Sequence, residues 1–216
     1  GLLAVGLIAG CGSSSSDNKA ADNQKVLKVG AETTFPPFEF TEGDKYVGFD
    51  IDLADAVAKK MGYKMEFKSM GFDALIPALQ SNDIDMIAAG INATPERAKA
   101  VIFSEPYFKE GGFIVVVKKD NTTIHSMADL KGKKVVTQIG TIPTDVAKKA
   151  GATVKEVDTN SQAFNELKAG TADAQVAEQA GEGAGVDFFP GCVQVGAFSG
   201  FFGRWSDVVY RNLIAH

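Results

Sequence analysis

Apolar and polar positions along this chain switch between two periods. Val26 to Gly30 is a short apolar run that predicts a strand. From Phe49 to Met61 the apolar positions Ile51, Ala54, Ala58 and Met61 recur at helical spacing, with Leu53 and Val57 beside them, and Gly62 follows as a stop residue. Tyr63, Met65 and Phe67 alternate with polar residues, as in a strand. Phe72 to Gln80 reads as a helix that tolerates Pro77 only near its first turn. Asp85 to Ala89 predicts the next strand. Thr94-Pro95-Glu96 then supplies an N-cap, a proline at the first helical position and an acid in the first turn. Phe113 to Val117 predicts a long buried strand.

A second set follows the same order. Ser126 to Leu130 is a short helix, Lys134 to Gln138 a strand, and Pro143 to Ala150 a helix closed by Gly151. Thr153 to Val157 is a strand, Ser161 to Ala169 a helix with Phe164 and Leu167 on one side, and Asp173 to Ala177 a strand. Strands alternating with helices predict an α/β fold with parallel sheets. An internal echo supports two lobes of similar build. Leu79-Gln80-Ser81-Asn82-Asp83-Ile84-Asp85-Met86 matches Leu167-Lys168-Ala169-Gly170-Thr171-Ala172-Asp173-Ala174 in pattern, with Asp at the same place. In open α/β sheets ligands sit beyond the carboxyl ends of the strands. Two such lobes facing each other would enclose a cleft.

The two ends read differently. Gly1 to Gly10 is an apolar run too short to span a bilayer, and it fits the apolar region of a signal peptide truncated at its start. It ends in Ile8-Ala9-Gly10-Cys11, which resembles the lipobox of bacterial lipoproteins and would make Cys11 a lipid anchor. The alternative is an apolar segment that happens to end in Cys. Ser13 to Asn23 is polar and reads as a flexible tether. At the other end, no Lys occurs after Lys168, while glycines and Phe188, Phe189, Phe198, Phe201 and Phe202 crowd together. Beyond Ala169 helical spacing returns only at Ser206 to Ile214. A divergent segment would produce this change; so would a shifted reading frame or a truncated end. The expected division is a signal segment at 1–11, a tether at 12–25, a first lobe at 26–114, a second lobe at 115–178 and an atypical segment at 179–216.

Composition narrows the chemistry. With 22 Lys and Arg against 27 Asp and Glu in 216 residues, there is no basic excess for a nucleic-acid face. Only 2 Cys and 2 His leave too few ligands for a Cys/His zinc site, so neither a metal nor a cofactor is expected.

Candidate binding groups lie where strands end. Gly90-Ile91-Asn92-Ala93-Thr94-Pro95-Glu96-Arg97 carries a strand end into a helix N-terminus, whose N–H groups favour an anion. Arg97 in the first helical turn opposes the helix dipole, which makes sense if it grips a carboxylate; the alternative is a surface pair with Glu96. Phe35, in the stiff Phe35-Pro36-Pro37-Phe38 loop, and Phe72 could sandwich a small ligand or simply belong to the core. Glu32 and Glu178 each follow a strand and could receive donors or positive charge, or could be solvated surface acids.

Together these segments closely resemble the substrate-binding proteins of polar amino-acid ABC importers. The matching motifs are Phe35-Pro36-Pro37-Phe38-Glu39-Phe40, Gly48-Phe49-Asp50-Ile51-Asp52-Leu53, Ile76-Pro77-Ala78-Leu79-Gln80, Ala89-Gly90-Ile91, Thr94-Pro95-Glu96-Arg97, Phe103-Ser104-Glu105-Pro106-Tyr107, Asp129-Leu130-Lys131-Gly132-Lys133 and Gly170-Thr171-Ala172-Asp173-Ala174. They run in order from Val26 to Glu178. The resemblance implies a two-lobed periplasmic-binding-protein fold of type II with a hinge, closing on one free L-amino acid such as glutamine or a basic amino acid. It implies that Arg97 binds the α-carboxylate with backbone help from Asn92 and Thr141, and that Ile142 keeps its N–H there. Glu178 stands where the family usually has Asp for the α-ammonium, with carbonyls of Ala89 or Gly90 completing the cage. Glu32 matches the position that reads the side chain, Phe35 and Phe72 the aromatic walls, and Gln138 a polar contact from the second lobe. It further implies an extracytoplasmic, lipid-anchored monomer that partners a membrane permease and has no catalytic residue. The family's second hinge strand, returning to the first lobe, has no visible counterpart in Gly181 to His216.

Two rival functions share the fold. A cyclohexadienyl dehydratase would use a cleft acid such as Glu178 on prephenate or arogenate. A sensor domain would need a membrane span and a signalling domain.

Overall fold

The structure is a computed structural model that describes residues 24–108, 112–179, 191–198 and 207–210. Cys11 and almost all of the expected tether lie outside the described residues. The chain opens with β1 (Val26–Ala31), a small meander of β2 (Thr34–Phe35), β3 (Glu39–Glu42) and β4 (Lys45–Val47), then α1 (Phe49–Lys60) and β5 (Lys64–Ser69). A turn of 3₁₀ helix at Phe72–Ala74 leads into α2 (Leu75–Gln80), then β6 (Met86–Ile91), α3 (Pro95–Ala100) and β7 (Ile102–Phe103). Next come β8 (Phe113–Lys118), a 3₁₀ turn at Met127–Leu130, β9 (Lys134–Gln138), α4 (Ile142–Lys149), β10 (Thr153–Val157), α5 (Asn160–Ala169) and β11 (Ala174–Glu178). β12 (Cys192–Phe198) and β13 (Asp207–Tyr210) follow.

These strands build two five-stranded sheets, β5-β1-β6-β13-β7 and β10-β9-β11-β8-β12. Each contains a parallel trio, with β1 between β5 and β6 and β9 between β10 and β11. The predicted α/β architecture of two similar lobes is therefore present. Each sheet packs its helices over its own apolar core, centred on Leu75, Leu79, Ile84 and Ile87 in one lobe and on Val115, Val117, Leu130 and Val135 in the other.

The internal echo has a physical basis. Asn82 (φ 67°) and Gly170 (φ 77°) both take the left-handed conformation that ends a helix. Ile84 and Ala172 are both buried just after it. Asp85 and Asp173 then do the same job, each donating its backbone N–H to a first-strand residue and accepting that residue's N–H on its carboxylate. The distances are 2.8 and 3.0 Å at Lys28, and 2.8 and 2.8 Å at Lys134. The turn is thus clamped to the neighbouring strand in both lobes.

Three expectations need correction. β8 starts at Phe113 and pairs with β11 and β12, so Phe113 and Ile114 belong to the second sheet and not to the first lobe. The predicted helix at Phe72 to Gln80 is split, because Pro77 lacks an N–H and sits in the first turn of α2 instead of mid-helix. The segment beyond Glu178 also differs from its expected reading. β12 extends the second sheet, and β13, where helical spacing had suggested Ser206 to Ile214, inserts antiparallel between β6 and β7. The chain does return to the first lobe. Ladder hydrogen bonds come from the backbone, so an edge strand accepts a partner of almost any sequence.

The short meander was invisible to periodicity because its strands hold only two to four residues. It is stitched to α1 through backbone groups: Phe49 N–H donates to Pro37 O (3.1 Å) and Asp50 N–H to Phe38 O (2.9 Å). Gly48 makes this contact possible. Its φ is +127°, and a Cβ there would lie 2.2 Å from Phe38 O. Gly48→Ala is expected to lower stability by roughly 3 kcal/mol, or ~6–12 °C in a thermal melt. An unchanged melting temperature would contradict this forced approach.

Candidate functional site

The expected cleft residues gather at the carboxyl ends of β1, β6, β9 and β11. Glu32 follows β1, Ala89 and Gly90 lie in the last residues of β6 with Asn92 just after it, Gln138 ends β9 and Glu178 ends β11. The lobes meet there through polar contacts. Arg97 donates from Nη2 to Gly140 O (3.0 Å), Asn160 N–H donates to Thr34 Oγ1 (3.1 Å), and the Gln138 side chain lies close enough to Glu32 to favour its ionised form. A Cβ on Gly140 would sit 3.1 Å from Cβ of Asp73, so the facing backbones approach closely.

Arg97 is positioned by α3. Thr94 caps that helix, its Oγ1 accepting Arg97 N–H at 3.1 Å, and Pro95 supplies the first position, as the motif predicted. The helix has only six residues. Its dipole is therefore weak, and the anion-binding power lies in the guanidinium. Nη1 donates to Asn92 O (3.1 Å) and the plane lies over the Phe72 ring at 5.2 Å. Among the described residues these bonds use two of the five N–H groups. Among the described residues Arg97 makes no ion pair with Glu96.

Asn92 joins the two opposite charges. Its carbonyl holds Arg97, and its Nδ2 donates to Glu178 Oε1 at 3.1 Å. Asn92 is buried and its Oδ1 has no protein partner. Burial pushes the Glu178 carboxyl up to about 7, against the pull of Arg97 and the Asn92 bond. Some of its surface still meets solvent, yet protein crowds it closely. Burial also lowers the Arg97 guanidinium, opposed by Glu178. Glu32 is buried and takes up Thr34 Oγ1 at 2.9 and 2.8 Å and Thr34 N–H at 3.3 Å. Burial raises its carboxyl despite the bonds from Thr34 and Gln138. Among the described residues no group of three Asp, Glu, His or Cys could hold a metal ion.

Other expected residues sit differently. Phe35 stacks on Phe38 (5.6 Å, 18°), and Phe72 lies beneath Arg97. Thr141 precedes α4, and its Oγ1 donates to Gln138 O at 2.6 Å instead of capping the helix. Ile142 packs on the core of the second lobe. Sequence reasoning missed Thr34, Gly140 and Asn160. Asn160 donates from its backbone across the cleft and from Nδ2 to Gln138 Oε1 (3.0 Å). As the first residue of α5 it carried no signal beyond a helix start.

Comparison with known proteins agrees with this geometry. Residues 27–169 match the family model for bacterial extracellular solute-binding proteins, family 3. The chain belongs to that family. It is 39% identical over 175 residues to the arginine-binding extracellular protein ArtP of Bacillus subtilis (strain 168), a match covering 79% of this chain and 67% of that protein. The structure of an ancestral arginine-binding protein bound to arginine superposes with a TM-score of 0.79 at 46% identity, covering 89% of this chain and 87% of the other. A related ancestral structure bound to glutamine gives 0.81 at 49% identity, with 89% and 86% covered. These likenesses carry the two-lobed type II fold of the family.

The raised Glu178 fixes a pH dependence. The native state keeps a proton that the unfolded chain releases near the ordinary 4.5. The stabilisation is complete below that value and is lost as pH rises through about 7. Glu178→Gln is expected to gain on the wild type by on the order of 2 kcal/mol between pH 5 and 8, allowing for solvent screening. Melting curves that stay parallel across this range would show an ordinary carboxylate.

Proposed function

We propose that this chain is the extracytoplasmic solute-binding component of an amino-acid ABC importer, capturing one free polar L-amino acid between its lobes. The observation that carries this reading is the Arg97-Asn92-Glu178 arrangement. A guanidinium and a carboxylate stand on either side of one residue, the charge pattern complementary to an α-carboxylate and an α-ammonium. The ligand carboxylate takes remaining N–H groups of Arg97 together with backbone at Asn92 and Thr141. The ammonium takes Glu178 with carbonyls of Ala89 or Gly90. Binding keeps Glu178 ionised, which relieves the cost of burying that acid alone.

Glu32 and Gln138 stand further along the cleft, with Phe35 and Phe72 as apolar walls. A carboxylate there selects donor-bearing side chains: glutamine, arginine, lysine or histidine. It disfavours glutamate and aspartate. The relatives named for arginine, and neighbours holding arginine and glutamine, support this class. Release to a permease, a lipid anchor at Cys11 and a monomeric state complete the proposal. A second reading has one observation in its favour: a buried acid titrating near 7 suits general acid catalysis, as a dehydratase would need. Phenylpyruvate formed from prephenate would support it.

The test is a thermal melt with each free L-amino acid in excess. At ~1,000 times its dissociation constant a ligand adds about 4 kcal/mol, a shift of several degrees. One or a few donor-bearing amino acids should raise the melting temperature, and glutamate and aspartate should not. Arg97→Ala should abolish the response. A variant that keeps the wild-type shift would remove Arg97 from its role.

A further inference from the structure

Three motifs with no assigned role converge behind Gly90. They are Phe38-Glu39-Phe40 in the meander, Gly48-Phe49-Asp50 at the start of α1, and Pro106-Tyr107 after β7. Asp50 and Glu39 are almost wholly shielded from solvent, at 0% and 1% exposure. Asp50 Oδ2 accepts the Gly90 N–H at 2.7 Å, and the Tyr107 hydroxyl lies 2.7 Å from both Asp50 oxygens. Asp50 N–H donates to Phe38 O at 2.9 Å, which brings the Glu39 carboxyl beside that of Asp50, close enough for the two to act on each other.

Two carboxyls placed side by side and shielded from solvent cannot both stay ionised, so the pair holds a proton between them. Its position follows from the partners. The Gly90 N–H can only donate, so the Asp50 oxygen it meets is an acceptor. Glu39 Oε2 is buried with no protein partner, which a neutral acid's carbonyl tolerates far better than an anion does. The groups that act on Glu39 are Asp50 from α1, Glu32 just after β1 and Glu178 from β11, all acids. With burial they hold its carboxyl well above the ordinary 4.5.

Gly90 explains why the pair matters. Its backbone is left-handed (φ 54°), and the parallel ladder from β1 stops at Ile87. Asp50 supplies the acceptor for its N–H.

We infer that Glu39 is a neutral carboxylic acid whose proton lies in a hydrogen bond to anionic Asp50, and that this pair is the positioning device that fixes Gly90 at the ammonium end of the cleft. The ligand part of this inference rests on the function proposed above. Glu39 touches no ligand; it acts through Asp50 and Gly90. Its proton stabilises the fold at low pH, and that contribution is lost as pH rises toward the raised value.

The test compares wild type with Glu39→Gln and Glu39→Leu. Glutamine keeps a neutral donor for Asp50, and leucine removes it. With L-arginine as probe, Glu39→Leu should weaken binding roughly tenfold, and Glu39→Gln should restore affinity to within about threefold of wild type. The melting temperature of Glu39→Gln should gain on wild type as pH rises from 5 to 8. Glu39→Gln binding as weakly as Glu39→Leu, or a pH profile parallel to wild type, would overturn the inference. Difference infrared spectroscopy at pH 8 adds a measurement free of folding and ligand. The carbonyl stretch of a protonated acid should be present in wild type and absent in Glu39→Gln, and a missing band overturns the assignment. If wild type ignores every amino acid yet keeps the band, the importer reading fails while the protonated Glu39 stands.

Discussion

One guanidinium faces a cleft built from carboxyl groups. Glu32, Glu39, Asp50 and Glu178 all lie at or behind the strand ends, and Arg97 is the charge set against them. The arrangement depends on holding that cation still. Thr94 and Pro95 fix its backbone, Asn92 O and Gly140 O fix its fork, and Phe72 supports its plane. Because Gly140 belongs to the other lobe, the same side chain also ties the lobes together.

The excess of acids is managed by different means. Thr34 and Gln138 satisfy Glu32, Asn92 reaches Glu178, and Gly90 and Tyr107 hold Asp50. Glu39 is acted on by acids: Asp50, Glu32 and Glu178. Each partner makes one protonation state cheaper than the other, so a row of similar residues acquires separate roles.

The two lobes arrive at this cleft by the same route. A helix ends in a left-handed residue, a buried apolar residue follows, and an Asp clamps the turn to the neighbouring strand. The repetition brings four strand ends to one cleft, so carboxyls placed there come from positions as distant as Glu32 and Glu178.

Sequence alone determined the parallel strands, the echo, the motif around Arg97 and the helices other than the split one at Phe72 to Gln80 and the one expected at Ser206 to Ile214, because these depend on local periodicity, capping residues and hydrophobic burial. It also marked Glu39, Asp50 and Tyr107 as parts of motifs without saying that they meet. It did not reveal the meander, the return of β13 to the first sheet, or Asn160 reaching across the cleft. Those rest on backbone hydrogen bonds between residues far apart in the chain, and backbone groups are alike at almost every position. Tertiary structure alone decided which carboxyls are pushed up, because that depends on burial and on neighbours supplied by other elements.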